Sequence, residues 1–256
     1  MVASGNDFVV IKEREVKSLK PGLFAKKICD RKFGVGADGL LLLGNSKKAG
    51  VRMRIFNADG SEAEMCGNGA RCAAFYAKTG ISKGIETKAG IIHALVSNDT
   101  VKIKLTEPKN IRLNIPLKVV GRAMKVNFLN TGVPHAVIFV QGLDKVNVSL
   151  VGRYIRYHRR FAPKGTNVNF IEVLGEDSVA IRTYERGVED ETLACGTGST
   201  ASAIIFALRG AKGNPIKLKT RGGETLKVYF DKSENKFSNV WLEGRVNKVY
   251  QGEYYV

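Results

Sequence analysis

The fold is decided by two stretches of sequence, Cys66-Gly-Asn-Gly-Ala-Arg-Cys-Ala-Ala74 and Cys195-Gly-Thr-Gly-Ser-Thr-Ala-Ser-Ala203. Each places a cysteine and Gly-x-Gly before an alanine-rich, largely apolar segment. This pattern predicts two buried helices, one from about Gly67 to Thr79 and one from about Gly196 to Arg209. Because the two stretches lie about half a chain apart, we infer an internal duplication with one central helix in each half.

Strand patterns surround both predicted helices. Alternating or β-branched runs separated by turn residues indicate an α+β protein with two pseudo-symmetric domains, each a sheet wrapped around its central helix. We place the junction near Pro116, giving domains of residues 1–116 and 117–245. A third helix is indicated by Leu150, Val151, Tyr154, Ile155 and His158, which would share one face. The predicted strands are Val51–Phe56, Val101–Leu105, Val137–Val140, Asn169–Val173, Val179–Tyr184, Ile216–Lys219, Leu226–Phe230 and Val240–Glu243.

A cysteine at the start of a helix has a specific chemistry. The first turn offers backbone N–H groups without intrahelical partners and the positive end of the helix dipole. Glycines let a ligand approach this backbone closely, so the turn can hold a carboxylate. The same field stabilises a thiolate and would lower the cysteine pKa from its free value of about 8.5. Two such motifs predict two sulfurs acting as acid and base on opposite faces of one α-carbon.

The overall composition is strongly basic, with 41 Lys and Arg residues against 24 Asp and Glu and a formal charge of +17. The basic residues are scattered rather than gathered in a tail or an aromatic-interleaved motif. This distribution favours a solvated surface over nucleic-acid binding. The N-terminal residues lack the pattern of a secretory signal and no apolar run could span a bilayer, so we expect a cytoplasmic protein without a membrane partner.

No sequence feature indicates a metal or an organic cofactor. The cysteines contain no Cys-x-x-Cys spacing, and the histidines do not cluster with them. The glycine-rich stretch Phe33-Gly-Val-Gly-Ala-Asp-Gly39 lacks the Lys-Ser/Thr of a phosphate-binding loop. Of the remaining cysteines and histidines, we interpret Cys29 and Cys72 as packing residues and His93 and His158 as structural.

The sequence resembles the diaminopimelate epimerase family over essentially its whole length. Eight segments in the same order carry the resemblance. They are Gly5-Asn-Asp-Phe8, Phe33–Gly39, Phe56-Asn-Ala-Asp-Gly-Ser-Glu62, Cys66–Cys72, Pro134-His135, Gly165-Thr-Asn-Val-Asn-Phe170, Tyr184-Glu-Arg-Gly187 and Glu191-Thr-Leu-Ala-Cys-Gly-Thr-Gly198. The resemblance implies a cofactor-independent homodimeric epimerase that interconverts LL- and meso-2,6-diaminopimelate, in lysine and cell-wall precursor biosynthesis. It also implies that the last strand, residues 246–256, returns to the first domain.

The resemblance also implies individual roles. Cys66 and Cys195 match the catalytic pair. His135 and Glu185 match groups that tune the two cysteines, and Tyr250 matches a dimer contact. The positions that match substrate-binding residues are Asn6, Asn57, Gly67, Asn68, Asn167, Glu185, Arg186, Gly196 and Thr197.

The chemistry of each side chain is consistent with the role that the resemblance implies, but each residue could also have a purely structural role. Arg186 can grip a carboxylate with two parallel hydrogen bonds, but it could equally pair with Glu185 or Glu189 at the surface. Glu185 suits a substrate ammonium. His135, next to an apolar strand, could also be a core histidine with both ring nitrogens satisfied. The asparagines offer a donor and an acceptor to a zwitterion, although asparagine is common in turns.

Four other functions compete with this interpretation. The related proline and hydroxyproline racemases typically carry Cys-Gly-His at the first site, where this chain has Cys66-Gly-Asn68, and phenazine-type isomerases lack the cysteine pair. A basic nucleic-acid-binding protein and a thiol oxidoreductase are the other classes considered. Two departures from some family members, Gly39 in place of Gln and Val133 in place of Asn, each remove a polar side chain and bear on substrate selectivity.

Overall fold

The structure, a computed structural model, describes residues 1–16, 18–78, 84–234 and 236–255. The chain divides into two compact units. The first contains Met1–Lys104 together with the chain from Glu243 onward, and the second contains Leu105–Leu242. We expected the junction near Pro116. That residue lies inside a strand, Lys109–Val119, which pairs along its length with Arg122–Asn130 of the same unit, so the division falls earlier in the chain.

The first unit contains a seven-stranded sheet. Its order is β1-β2-β3-β4-β6-β7, with β5 beside β4. The β2–β3 and β4–β6 pairs are parallel, whereas β3–β4 is antiparallel. Strands β8 and β9 form an antiparallel hairpin that is not part of this seven-stranded sheet. The strands are β1 (Val2–Ala3), β2 (Asn6–Lys12), β3 (Gly39–Gly44), β4 (Val51–Asn57), β5 (Glu62–Ala63), β6 (Ile85–Thr87), β7 (Gly90–Ile92), β8 (Ala94–Ser97) and β9 (Thr100–Lys104).

Two helices accompany these strands. Helix α1 (Pro21–Cys29) was not predicted from the sequence; proline at its start fixes the first turn, and Phe24, Ala25 and Ile28 are buried. Helix α2 (Gly67–Ala77) is buried over residues 68–74 and contacts β1, β2, β4, β8 and β9. Strands therefore surround α2, as predicted. The predicted end of this helix, Thr79, lies outside the described residues.

The second unit is built on a larger sheet. Within the unit its order is β10-β11-β12-β13-β14-β16-β17-β18, with β15 beside β14. The β12–β13 and β14–β16 pairs are parallel. The strands are β10 (Lys109–Val119), β11 (Arg122–Asn130), β12 (Pro134–Phe139), β13 (Asn167–Gly175), β14 (Ser178–Glu185), β15 (Asp190–Thr192), β16 (Ile216–Lys219), β17 (Thr225–Ser233) and β18 (Lys236–Arg245).

Helix α4 (Gly196–Leu208) is the central element of this unit. It is buried from residue 198 to residue 207 and contacts β11, β12, β13, β14, β16 and β17. Because an apolar helix enclosed by strands occurs in both units, the structure confirms the predicted α+β class. No helix among the described residues is long and apolar enough to cross a membrane.

Helix α3 (Val148–Arg156) differs from its prediction. Its buried residues are Val148, Gly152 and Ile155, whereas Leu150 and Tyr154 of the predicted apolar face are about half exposed. Glycine at position 152 lets the helix lie against Tyr184, because a Cβ there would stand 2.5 Å from the Tyr184 Cβ. The helix also ends before His158, which instead begins a short 3-10 turn.

The C-terminal segment belongs to the first unit but is not the strand that the resemblance implied. Beyond Arg245 the described chain is irregular apart from an isolated antiparallel bridge between Val2 and Asn247. Val246 N donates to Asp99 O at 2.8 Å, and Val246 is buried. A few backbone hydrogen bonds and the buried Val246 therefore hold the segment without a continuous strand.

Candidate active site

Cys66 begins the first half-site. It has extended backbone angles (φ −140°) immediately before α2, and its side chain does not cap the helix. Ala70 N donates to Cys66 O at 2.8 Å, which closes the first turn. A Cβ added at Gly67 would meet only the Ile103 Cδ1 atom, at 3.5 Å. The sulfur is therefore half-buried beside a helix start whose backbone has space around it.

A chain of side-chain hydrogen bonds fixes the two asparagines next to this helix start. Asn68 Nδ2 donates to Asn6 Oδ1 at 2.6 Å, and Asn6 Nδ2 donates to Asp38 Oδ2 at 3.0 Å. At the other end, the buried Arg71 donates to Asn68 Oδ1 at 2.7 Å. Since guanidinium groups only donate and carboxylates only accept, both amides have a defined orientation. Asp38 is in turn paired with Arg31 at 2.7 Å.

Asn57 lies in a different setting from Asn6 and Asn68. It is exposed at the end of β4, and its Nδ2 donates to Ser61 Oγ at 2.9 Å within a turn. Across the sheet it pairs with Gly39. A Cβ at Gly39 would stand 2.8 Å from Phe56 O, so the local backbone leaves no room for the glutamine found in some family members without a shift.

Cys195 begins the second half-site in the same conformation (φ −127°), again without capping the helix. It is buried, with 7% relative exposure, and its Sγ lies 3.5 Å from Thr197 Oγ1. Ser199 N donates to Cys195 O at 2.8 Å. Thr131 Oγ1 donates to Thr197 O at 3.2 Å and so attaches the first turn of α4 to the end of β11. Both helix starts thus hold the cysteine by the same backbone pattern.

The end of β14 brings three predicted residues of the second unit together. Asn167 Oδ1 accepts from Arg186 N at 2.8 Å, and Asn167 Nδ2 donates to Pro134 O at 3.0 Å. The Arg186 guanidinium donates to Lys164 O at 3.4 Å. Glu189, which the sequence offered as a surface ion-pair partner for Arg186, is instead paired with Arg156 at 2.9 Å. None of the ion pairs in the described chain involves Arg186, which leaves its guanidinium able to bind an anion.

Glu185 is a largely buried carboxyl group without an ion-pair partner among the described residues. Thr192 Oγ1 donates to its Oε2 at 3.0 Å. Burial raises the pKa of Glu185, and the hydrogen bond from Thr192 opposes this only in part. A cationic ligand would restore the charged form, because a nearby opposite charge favours ionisation.

His135 is completely buried at the start of β12. Burial and the positive charge of Arg186 lower its pKa to about 3, so the ring is neutral at physiological pH. Its Nδ1 lies 3.2 Å from Asn169 Nδ2, whereas its Nε2 has no hydrogen-bond partner among the described residues. It is therefore not the fully satisfied core histidine of the purely structural interpretation.

Cys29, Cys72, His158 and Tyr250 differ from these residues in environment. Burial raises the pKa of Cys29 to about 11 and that of Cys72 to about 12, as suits packing residues. His158 accepts from Arg160 N, and Tyr250 is 64% exposed. Within the described ranges, no three His, Cys, Asp or Glu side chains lie close enough together to hold a metal ion.

Sequence reasoning missed Asn169, Thr131 and Asp38, which hold predicted site residues in place. A sequence signal for Asn169 was present, since Asn167 and Asn169 alternate on an otherwise apolar strand and must share one face.

The structure also contains a cavity of about 890 Å³ in the first unit, bordered by Glu13, Arg52 and Tyr76 among others. It includes none of the predicted site residues.

Solved structures define the class of fold. A phenazine biosynthesis protein of the PhzF family from Bacillus anthracis superposes with a TM-score of 0.69 and 18% identity, covering 94% of this chain and 91% of its own. A hydroxyproline epimerase from Agrobacterium vitis gives 0.67 and 14%, covering 95% and 86%. The protein therefore has the fold shared by these two proteins.

Sequence relatives identify the family within this class. The diaminopimelate epimerase family model matches residues 1–111 and 127–249. Diaminopimelate epimerases from Hydrogenobaculum sp. and Aquifex aeolicus are 46% and 45% identical, each over 97% of this chain and 95% and 94% of the relative. One from Archaeoglobus fulgidus is 42% identical over 98% and 94%. The chain belongs to the diaminopimelate epimerase family.

Proposed function

We propose that this protein interconverts LL- and meso-2,6-diaminopimelate by direct proton transfer at the α-carbon, without a metal or an organic cofactor. The observation that carries the proposal is the repeated helix start. Cys66 and Cys195 precede α2 and α4 in the same extended conformation, each next to first-turn N–H groups that can bind a carboxylate. Relatives that cover nearly the whole chain and are named for this activity support the same substrate.

The proposed reaction is a proton exchange between carbon and sulfur. The thiolate of one cysteine removes the α-proton and becomes a thiol, and the negative charge passes to the substrate carboxylate held by the helix N-termini. The thiol of the other cysteine gives its proton to the opposite face and becomes a thiolate. The configuration is inverted, and the reverse reaction exchanges the two roles.

Substrate recognition is assigned to the side chains around each helix start. We propose that Gly67, Asn68, Gly196 and Thr197 hold the α-carboxylate through their backbone. Glu185 provides a negative partner for a substrate ammonium, and Arg186 grips the distal carboxylate. Asn6, Asn57 and Asn167 complete the polar contacts, and His135 and Glu185 tune the cysteines.

The decisive test is incubation with LL-diaminopimelate and, separately, with meso-diaminopimelate in deuterium oxide. Both configuration and α-deuterium are followed for the parent, Cys66→Ala and Cys195→Ala. Each variant should lose inversion by about 10²–10⁴-fold, because one positioned acid or base is removed. Each should still exchange deuterium slowly into one stereoisomer, with opposite preferences. Cys72→Ala is the matched control, since it removes a buried thiol from the same helix as Cys66. Inversion at the parental rate by either catalytic variant would overturn the proposal.

Substrate class can be tested separately through Arg186. Replacing it by lysine removes the two-pronged grip on a carboxylate and should cost about 1–3 kcal/mol in kcat/KM for diaminopimelate. Free lysine, offered as a substrate, has no distal carboxylate, so any racemisation of free lysine should be unaffected by the substitution at Arg186.

A parent enzyme that turned over proline or hydroxyproline faster than diaminopimelate would favour the alternative racemase function. Activity that disappeared with EDTA and returned with a metal would contradict the cofactor-independent mechanism.

Two further properties are proposed with this function. We place the protein in the cytoplasm, because the mechanism needs reduced sulfurs and no disulfide is formed among the described cysteines.

We also propose that the protein forms a homodimer and that the exposed Tyr250 lies in the dimer interface. Analytical ultracentrifugation of Tyr250→Asp should show a weakened dimer. Tyr154→Asp, at a similarly exposed tyrosine, is the control and should sediment as the parent does.

A further inference from the structure

Asn169 lies on β13 with no exposed surface, and every polar atom of its side chain is used. Its Nδ2 lies 3.0 Å from Ala136 O and 3.2 Å from His135 Nδ1. Its Oδ1 lies 3.0 Å from Thr183 Oγ1. Buried amides with complete hydrogen bonding are held in a single orientation, because any rotation leaves a polar group unsatisfied.

These contacts determine which ring nitrogen of His135 carries the proton. Ala136 O can only accept, so the amide nitrogen must face it and the amide oxygen must face Thr183. The second N–H of that nitrogen then points to His135 Nδ1, which has to be an unprotonated acceptor. In a neutral imidazole the proton is then on Nε2, the atom that is buried without a protein partner.

We propose that Asn169 is a positioning residue that holds His135 as the Nε2–H tautomer and so keeps a neutral hydrogen-bond donor ready in the Cys195 half-site. Asn169 is well placed for this role. A Cβ built on Gly198 would lie in contact with Asn169 Oδ1 and 3.3 Å from the Cys195 Cβ, so the amide lies against the first turn of α4. Burial lowers the pKa of His135, and a ring that stays neutral depends on its tautomer to present a donor.

The consequence for activity rests on the proposed epimerase function, whereas the tautomer does not. An Nε2–H donor can bind a thiolate or a substrate carboxylate, both of which accept hydrogen bonds. The Nδ1–H tautomer would present a lone pair at the same place and repel either anion. Loss of Asn169 should therefore act through His135 on turnover.

The tautomer can be measured directly by long-range ¹H–¹⁵N NMR of the histidine rings. His135 is assigned by elimination with His93→Gln and His158→Gln, which change the two accessible histidines. The parent protein should show the Nε2–H tautomer at neutral pH. A parent spectrum with the proton on Nδ1 would overturn the inference, and this measurement needs no variant at Asn169 to fold.

The role of Asn169 is tested with Asn169→Asp. Its carboxylate can only accept, so it should draw the proton of His135 to Nδ1 and lower kcat by roughly 10–100-fold, the usual effect of losing a group that orients a functional side chain. Asn127→Asp is the matched control. Asn127 is also buried and donates to a carbonyl of β12, Val137 O at 3.2 Å, and its Oδ1 accepts from Asn114 N rather than from a histidine. It should leave the His135 tautomer and kcat near the parental values.

The possible results separate this inference from the proposed function. A switched tautomer with unchanged kcat would overturn the positioning role while leaving the epimerase assignment intact. Equal loss of kcat in Asn169→Asp and Asn127→Asp, with the His135 tautomer unchanged, would also overturn it. A parent protein that shows the Nε2–H tautomer but no epimerase activity would instead contradict the proposed function.

Discussion

At the scale of single residues, the environment divides the four cysteines into two pairs. Cys29 and Cys72 are buried, and burial raises the pKa values of their thiols to about 11 and 12. Cys66 and Cys195 each stand just before a helix, where the dipole favours a thiolate. The same residue type therefore has a raised thiol pKa at two positions and stands at the start of a helix at the other two.

This division predicts the order of alkylation in the folded protein. Iodoacetamide at pH 8 should modify Cys66 first, since it is the most accessible of the four, and Cys195 more slowly. Cys29 and Cys72 should react only after unfolding, because almost none of either thiol is ionised below pH 9. Peptide mass spectrometry over time measures the order. Modification of Cys72 before Cys195 in the native protein would contradict this account.

Glu185 predicts a trade between stability and activity. Its pKa is raised in the folded protein, so folding favours the protonated form, and the charged form carries a penalty above the ordinary glutamate pKa of about 4.3. Glu185→Gln should therefore raise the melting temperature at pH 7, and this gain should disappear as the pH falls below about 4. Activity should fall, because the substrate amine loses its negative partner. Melting curves of both proteins at pH 3.5 and pH 7 provide the measurement, and equal gains at both values would refute it.

At the scale of elements, the two helix starts share a pattern but differ in their surroundings. The second glycine of each motif faces a different neighbour. A Cβ at Gly69 would meet the flexible ends of Ile55 and Leu41 at 3.2 Å, whereas a Cβ at Gly198 would overlap Asn169 Oδ1. Because buried Asn169 is fixed by three hydrogen bonds, it cannot yield as an aliphatic side chain can.

Alanine substitution at these two glycines should therefore have unequal effects. Gly198→Ala should destabilise the protein by about 1–3 kcal/mol through overpacking, and should disturb the amide that holds His135. Gly69→Ala, the matched change in the first unit, should cost less, because the helix propensity of alanine offsets a small rearrangement. Urea denaturation of each variant supplies the comparison. A Gly69→Ala variant at least as unstable as Gly198→Ala would show that the neighbouring groups do not decide the outcome.

The elements also show where sequence patterns are informative. Helices α2 and α4 were predicted correctly because a helix enclosed by strands is buried on all sides. Its sequence therefore consists largely of small and apolar residues, without the charged residues of a solvent-exposed face. Helix α1 was missed because its nine residues carry only one buried face next to several lysines. The junction was misplaced for a related reason. Strand β10 alternates apolar residues with lysine, arginine and asparagine up to Val119, so Pro116 marked no end of a domain.

For the candidate site, the sequence suggested candidate residues but not the contacts that hold them. Asn68 and Asn6 were both predicted, but their direct hydrogen bond joins residues that are 62 positions apart, and no local pattern reveals it. His135 was predicted as well, whereas its partner Asn169 became visible only when β12 and β13 were paired in register. The local periodicity of a sequence does not predict contacts that depend on strand register and on tertiary packing.

At the scale of the whole molecule, both ends of the chain belong to the first unit. The bridge between Val2 and Asn247 joins them through the backbone. Close to the C-terminus, the ring of Tyr254 lies 6.4 Å from that of Phe24, on α1, and packs against the buried cluster around it. Contacts between residues so far apart in sequence must overcome the entropy of closing the chain. We therefore expect Tyr254 to contribute substantially to holding the C-terminal segment on the first unit.

Tyr254 and its neighbour Tyr255 offer a test of this attachment. Tyr254→Ala should cost about 1–2 kcal/mol of local stability, as expected for losing a partly buried aromatic side chain. Tyr255 is 86% exposed, so Tyr255→Ala should change stability by no more than about 0.5 kcal/mol. Because a protein of two units need not unfold in one step, hydrogen exchange is a better measurement than a single melting temperature.

Exchange in Tyr254→Ala should accelerate at the amides of α1 and β2, which lie in the unit that receives the C-terminal segment. The amides of α4 and β13, in the second unit, should exchange as in the parent protein. Equal acceleration in both units would mean that Tyr254 supports the fold globally. Unchanged exchange at α1, or the same change in Tyr255→Ala, would show that the contact with Phe24 does not hold the end of the chain in place.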